Sequence, residues 1–420
     1  MIQKPKGTKD ILPDESYIWN YVESIAQYEV FENFGFKEIR VPTFEYTELF
    51  QRGVGETTDV VQKEMYTFED KGGRSLTLRP EGTAGIIRAY IENGLSSKAS
   101  PLKLWYKMPV YRYENVQKGR DREFNQIGCE IIGTNSYLAD VEAITAAYNI
   151  LKKLNLIEKI ELNINSIGCP TCRKEYQKAL KDFIGANLDD YCDTCKTRFD
   201  KNPMRILDCK EEKCKKLNQG APVILDYLCD ECKQHFENVK NTLNALKIEY
   251  KIDAGIVRGL DYYTKTVFEF ISKDEGYTVI GGGRYDGLVK ELGGIDTPAV
   301  GFGMGEERLI SLVAKNKDLK DINTEIYIAT MGKENQIIKA LQLASELREY
   351  LVVETDINSR SFNAQLKYAN KIGTDNLLVI GEEELNSNSA KIKNMKTGKE
   401  FNVELNSNEI YEKILEMEEE

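Results

Sequence analysis

Residues 15–34 repeat apolar and aromatic side chains at spacings of three and four, which predicts an amphipathic helix ending at Gly35. The next stretch, FKEIRVPTFEYTELF, alternates as a strand would and is interrupted by Pro42. Proline lacks the donor that a central ladder needs, so an edge, a strand end or an interface is expected there. Further strands are predicted at RSLTLRP, LKLWYKMPVYRYE, FNQIGCEIIG, TVFEFIS and AVGFGMG. Turns and long polar connections separate them, rather than regularly spaced helices, and this rhythm predicts an α+β chain built on a mixed, largely antiparallel sheet flanked by helices. After about Lys320 the rhythm changes. IYIAT, a helix over 335–350, VVETD, a helix over 362–372 and LLVIG alternate as a small α/β domain. The expected division is therefore 1–320 and 325–420, with no internal repeat.

Composition changes this picture in the middle of the chain. Residues 165–236 mix charged helical stretches such as RKEYQKALKDFI with cysteine pairs, as an inserted module would. No window approaches the ~18 uninterrupted apolar residues of a membrane span, and MIQKPKGTKD lacks a signal-peptide run, so a cytoplasmic protein is expected. Cytoplasmic thiols are reduced. Cys169 with Cys172, Cys192 with Cys195, Cys209 with Cys214, and Cys229 with Cys232 then speak for metal rather than disulfides. Eight thiolates are the number for two tetrahedral zinc sites, structural because four thiolates leave no open position. Spacing leaves open which pairs share a metal. Cys129 reads as a small apolar residue of the sheet. The net charge of −11 gives no compositional reason to expect nucleic-acid binding, although a local basic face remains compatible with it.

Several short stretches carry candidate chemistry, each with a plainer alternative. In RPEGT, Gly82 lets backbone approach a ligand while Glu81 and Thr83 suit an ammonium group; an ordinary turn reads the same way. Arg112 opens a polar loop carrying Lys118, Arg120 and Arg122, which could close over phosphates or touch a polynucleotide, the plainer reading being a solvated hairpin tip. Gln126, Gly128 and Glu130 share one strand face, forming a polar floor or a wet surface. RGLDYYTKTVFEF sets Arg258, Tyr262 and Tyr263 at the mouth of a strand. The three glycines of GGGRYDGL can line a pocket or make a flexible hairpin. AVGFGMGEERL leads a strand of small residues into a helix bearing Glu306, Glu307 and Arg308, facing ligand or solvent.

Taken in order, RPEGT, the arginine hairpin ending in GCE, RGLDYY, GGGRYDGL and GFGMGEER resemble the histidyl-tRNA synthetases, from GTKDILPDE at Gly7 nearly to the C-terminus. The resemblance implies a class II fold with an antiparallel active-site sheet, and a C-terminal anticodon-binding domain carrying SRSFNAQLKYANKIG. It implies activation of L-histidine with ATP to histidyl-adenylate, then transfer to the 3′ end of histidine tRNA. Arg112 and Arg258 would act on the α-phosphate, and Arg308 on the distal phosphates alongside Mg2+. Glu81, Gly82, Thr83, Gln126, Glu130, Arg258, Tyr262 and Tyr263 would receive the histidine. VPTFEYTELF matches the family's dimer motif, implying a homodimer.

Two departures stand out. Asn115 and Val116 replace an arginine and a proline common in bacterial members, altering the loop that reads the tRNA's extra 5′ guanosine, although Gln117 is kept. Asn125 stands where histidine is frequent, leaving His235 as the chain's one histidine, expected to be structural. Many members carry the insertion with few or no cysteines, so apolar contacts alone can fold it. In the C-terminal domain Arg360, Lys367 and Lys371 would touch phosphates or remain solvated. Two rivals remain for comparison. One is the family's regulatory paralogue, which binds histidine without making adenylate and tends to lose the catalytic arginines and the anticodon domain; the other is a zinc-dependent nucleic-acid-binding module.

Overall fold

The computed structural model describes residues 1–420 apart from 56–57, 210, 257, 316–318, 320, 322 and 420. It divides into two compact units, Met1–Leu319 and Lys320–Glu420. Among the described residues no helix is long and apolar enough to cross a membrane.

The first unit is organised by an eight-stranded sheet, in spatial order Lys37–Glu38, Leu102–Tyr111, Glu123–Ile132, Ala299–Gly305, Thr278–Arg284, Thr264–Ser272, Ile160–Ser166 and Lys251–Ile252. The six central strands pair antiparallel, but Lys37–Glu38 and Lys251–Ile252 add in parallel at the two edges. The expectation of an antiparallel sheet is corrected to a mixed one, because each edge strand arrives by a long connection rather than a tight turn. Register explains why polar positions cluster. Leu102↔Ile132 through Tyr111↔Glu123, and Ala299↔Ile132 through Gly305↔Gln126, bring three chain-distant motifs side by side.

A first core joins Trp19, Phe31, Ile144, Leu151, Val239, Phe268 and Phe302, where the helices Tyr137–Lys153 and Asp230–Ala245 bury their apolar stripes. A second joins Ile86, Tyr106, Tyr262, Tyr263 and Tyr285 to Tyr176, Ile184 and Ile206 of the cysteine module. The module therefore packs on the eight-stranded sheet through one continuous apolar cluster. A fully buried ion pair ties the helix Tyr137–Lys153 to the strand Thr278–Arg284. The Arg284 guanidinium meets Asp140, and also donates to the carbonyls of Thr134 (2.8 Å) and Ser136 (2.9 Å) and to Asp286 (3.1 Å). Buried charge is tolerated when its donors are filled in this way. His235 lies 3.3 Å from the same Asp140 and is buried, which fits a structural role for the one histidine.

Local expectations shift in places. The first helix runs over Pro13–Ser24 and then widens into π-helical turns over Ile25–Phe31. Only Lys37–Glu38 and Phe44–Tyr46 of FKEIRVPTFEYTELF are strand; Thr47–Val54 is a helix burying Phe50 and Val54. Phe44–Tyr46 instead joins Ser75–Leu78 and Thr67–Glu69 in a small antiparallel sheet. In the second unit, the parallel strands Val353–Thr355, Ile326–Thr330 and Asn376–Ile380 continue into the antiparallel hairpin Ser389–Asn394 and Glu400–Glu404, which the alternation had not suggested. Helices Glu334–Leu347, Phe362–Ile372 and Ser407–Glu419 complete it. There Arg360 pairs with Asp356 (2.8 Å) and stacks on Tyr368 at 4.2 Å, while Lys367 and Lys371 are exposed.

Candidate active site

Three arginines from three separate motifs line one cavity of about 240 Å³. Arg112 follows the Leu102–Tyr111 strand, Arg258 precedes Thr264–Ser272, and Arg308 sits in the first turn of Glu306–Val313. Each is held from behind. Arg112 donates through Nε to the Pro80 carbonyl (2.8 Å) and lies 5.4 Å over the Phe124 ring. Arg308 donates to the carbonyls of Gly119 (3.0 Å) and Thr278 (2.7 Å), and burial pulls it below its ordinary range. Arg258 pairs with Glu269 and lies 5.4 Å over Tyr263, while Thr278 donates to the other Glu269 oxygen at 2.9 Å. Burial works against the Arg258 charge, but Tyr263 and Glu269 more than offset it. Such fixed, partly desolvated cations stabilise an anion without reorganising when it arrives.

The glycines belong to this arrangement. GGG lies within the strand Thr278–Arg284 rather than in a flexible hairpin. A Cβ on Gly281 would overlap the Arg258 guanidinium, and one on Gly301 would overlap the Glu130 carboxylate. Both are sites of close approach where only hydrogen fits.

Behind the cavity sits a second group, fully enclosed. Glu81 accepts from the amides of Thr83 and Ala84, both at 2.7 Å, fixing the start of the helix Thr83–Glu92. Burial raises the Glu81 carboxyl above its ordinary range. Thr83 donates to one Glu130 oxygen at 2.7 Å, and the Tyr285 hydroxyl donates to the other. Tyr262 packs between Tyr263 (4.7 Å) and Tyr285 (5.5 Å), and the Tyr106 ring lies where a Gly82 side chain would begin, 2.7 Å from that position. Of the expected residues, Gln126 lines the cavity with the arginines, whereas Glu81, Thr83, Glu130, Tyr262 and Tyr263 form this inner group. Tyr263 joins the two through its ring beneath Arg258.

Tyr106, Tyr285 and Glu269 are not singled out from the sequence. Glu269 had a signal, being the single charge inside the apolar run TVFEFIS. Glu307 is half-buried, accepts from the Asn125 amide (2.8 Å) and lines the cavity together with Arg308, the cation expected to face ligand or solvent.

Burial pushes Glu130 up to about 8, with Tyr285 and Thr83 pulling the other way. A carboxyl raised in the folded state stabilises the fold below its unfolded value, near 4.5, and loses that contribution as pH rises toward 8. Glu130→Gln cannot titrate. Denaturant midpoints compared from pH 5 to 8 are therefore expected to show wild type losing up to about 3 to 4 kcal/mol relative to the variant. Parallel pH profiles for the two proteins would contradict this.

The eight paired cysteines fall into two sets, Cys169, Cys172, Cys229 and Cys232, and Cys192, Cys195, Cys209 and Cys214, with sulfurs within 4.8 Å of one another in each. Measured separations are 3.5 Å for Cys169–Cys172, 4.0 Å for Cys169–Cys229 and 3.8 Å for Cys192–Cys209. Tetrahedral zinc with bonds of about 2.3 Å requires sulfurs about 3.8 Å apart, so the donor sets fit it. The Cys229 amide donates to Cys172 Sγ (3.1 Å) and the Cys192 amide to Cys214 Sγ (3.4 Å), the support a thiolate needs.

Comparison with known proteins places these features. The family model described as histidyl-tRNA synthetase matches residues 7–309, and that of the anticodon binding domain matches 325–417. Curated histidine–tRNA ligases of Clostridium novyi (strain NT) and Clostridium botulinum (strain Kyoto / Type A2) are 54% and 53% identical, over 97% and 96% of this chain and 97% of each relative. The crystal structure of apo Staphylococcus aureus histidyl-tRNA synthetase superposes with a TM-score of 0.82 at 36% identity, covering 98% of this chain and 99% of that one. By fold, by motif and by likeness along nearly its whole length, the chain belongs to the histidyl-tRNA synthetase family.

Proposed function

We infer that the chain is a histidine–tRNA ligase: it joins L-histidine to ATP as histidyl-adenylate with release of pyrophosphate, then passes the histidyl group to the 3′ end of histidine tRNA. The observation that carries this reading is the convergence of Arg112, Arg258 and Arg308 on one cavity, with Tyr263 under Arg258 leading to the buried carboxyl of Glu130. The histidine carboxylate attacks the α-phosphorus and pyrophosphate leaves, so no protein nucleophile is required. Arg112 and Arg258 stabilise the charge growing on the α-phosphate and Arg308 holds the distal phosphates. Glu81 and Thr83 receive the substrate ammonium with Gln126 near its carboxylate, and Glu130 and Tyr263 pair the imidazole beside Tyr262. An apolar amino acid would leave those buried polar groups unpaired, which is the basis of selection.

The cavity lining carries four arginines and the four carboxylates Glu114, Asp121, Glu269 and Glu307. That balance suits a polyanion arriving with a divalent cation; Glu114, Asp121 and Glu307, near Arg308, would hold Mg2+, which supplies charge neutralisation on the phosphates. The two thiolate sets would hold structural zinc. The 325–420 unit would read the anticodon, with Lys367 and Lys371 available to phosphates. Phe44, Tyr46 and Phe68 are exposed on the small sheet that contains part of VPTFEYTELF, supporting a homodimer through that face.

Histidine-dependent ATP–pyrophosphate exchange tests the reading. Exchange with histidine, and none with apolar amino acids, is the expected result. Histidine binding without exchange would favour the regulatory paralogue, despite the anticodon-domain match at 325–417. RNA binding with no preference for histidine tRNA would favour the zinc module alone, which leaves the arginine cavity unexplained.

A further inference from the structure

The segment 258–265 carries Arg258, Tyr262 and Tyr263 but has no regular secondary structure before Thr264. A loop's carbonyls point where their partners hold them. The Asp261 amide donates to the Val54 carbonyl (3.3 Å), but most of the other partners belong to the cysteine module. Arg205 donates to the Gly259 carbonyl (2.7 Å), Asn202 to the Asp261 carboxylate (3.0 Å) and Arg173 to the Tyr263 carbonyl (3.2 Å). At the far end the Lys265 amide donates to the Gly168 carbonyl (2.9 Å) and its own carbonyl accepts from Ile167 (2.8 Å). Lys265 takes a left-handed φ of 49°, a conformation that persists only where neighbours impose it.

Each of these contacts comes from a residue in a stretch bounded by the cysteine sets. Gly168 and Arg173 flank Cys169 and Cys172, while Asn202 and Arg205 lie between Cys195 and Cys209. The first set thus braces the Tyr263–Lys265 end of the segment, and the second braces the Gly259–Asp261 end. Arg205 is itself buried, and its carbonyl accepts from Arg198, which pairs with Asp59 (2.9 Å).

We propose that Arg173, Asn202 and Arg205 are positioning residues for histidine activation, through which the two cysteine sets hold Arg258 and Tyr263 in register with the cavity. The module then acts on the first chemical step, before any RNA is bound. The proposal rests on the roles given above to Arg258 and Tyr263.

The test uses full-length protein without tRNA. Arg205→Ala and Arg173→Ala are expected to lower kcat for ATP–pyrophosphate exchange about 10- to 100-fold and to raise KM for histidine, because misplacement of about 1 Å costs this much. KM for ATP should stay within about twofold, since Arg112 and Arg308 are untouched, and Arg205→Lys should recover part of the loss. Amide hydrogen exchange over 258–265 should accelerate in the alanine variants while 299–305 stays protected. Unchanged tRNA-free kinetics with unchanged protection of 258–265 would overturn the proposal and leave the module with RNA alone. If Arg205→Ala does not fold, Asn202→Ala, at a half-buried position, is judged by the same two criteria. Were wild type itself inactive in exchange, the functional reading would fail, yet the protection of 258–265 would still decide whether the module holds that segment.

Discussion

Arg258→Ala is expected to reduce histidine-dependent ATP–pyrophosphate exchange by roughly three orders of magnitude or more, with a much smaller change in KM for ATP. The size follows from the job. Removing one preorganised donor from a developing oxyanion costs about 10²- to 10³-fold, and removing an arginine aimed at a phosphoryl transition state costs about 10³- to 10⁵-fold. The split follows from placement. Arg112 and Arg308 line the same cavity and stay in place, so the ground-state nucleotide keeps most of its contacts. Arg258→Lys is expected to restore little. The guanidinium spans from Glu269 to the face of Tyr263, and a compact ammonium cannot keep both contacts and the phosphate. An Arg258→Ala enzyme that kept its kcat while losing only histidine affinity would assign the residue to substrate binding alone.

How far the sequence foretold this arrangement depends on the range of the interaction involved. The strand over AVGFGMG coincides with Ala299–Gly305, and the helix over 362–372 with Phe362–Ile372, because one buried face imposes its period on the local pattern. TELF failed as a strand because its alternation was too short to outweigh a helix burying Phe50 and Val54 in a separate small core. The glycines of GGGRYDGL were ambiguous from composition, since flexibility and close approach ask for the same residue; only the pairing of Thr278–Arg284 between two strands resolves them. Glu130 and Tyr285 are 155 positions apart, and nothing local in either predicts that one bonds the other. The arginine motifs were visible as separate stretches. That they face one cavity is a property of sheet register.

Two zinc ions per chain are expected in the purified protein, and the way substitutions remove them should follow the nested pairing of the cysteines. Spacing left the partners open. The fold joins the first pair to the last, because Pro170–Gly185 and Asp230–Ala245 bring Cys169, Cys172, Cys229 and Cys232 together, and it closes the inner set Cys192, Cys195, Cys209 and Cys214 within the excursion between them. Cys172→Ser with Cys232→Ser should therefore cost one zinc by elemental analysis, whereas Cys172→Ser with Cys195→Ser should cost both. A sequential pairing of the first two C-x-x-C motifs predicts the reverse. The accompanying loss of stability should fall well short of the roughly 10 kcal/mol or more that structural zinc contributes where no apolar core replaces it. Here Tyr176, Leu180, Ile184 and Ile206 form part of an apolar core that also takes in Cys195, Cys209 and Cys214. The metal-free module is thus expected to stay compact while its cysteine-bearing turns loosen, and its thiols should become titratable before the eight-stranded sheet melts. Wild type that contains no zinc, with all eight thiols titratable in the native state, would leave apolar packing as the only force holding those turns.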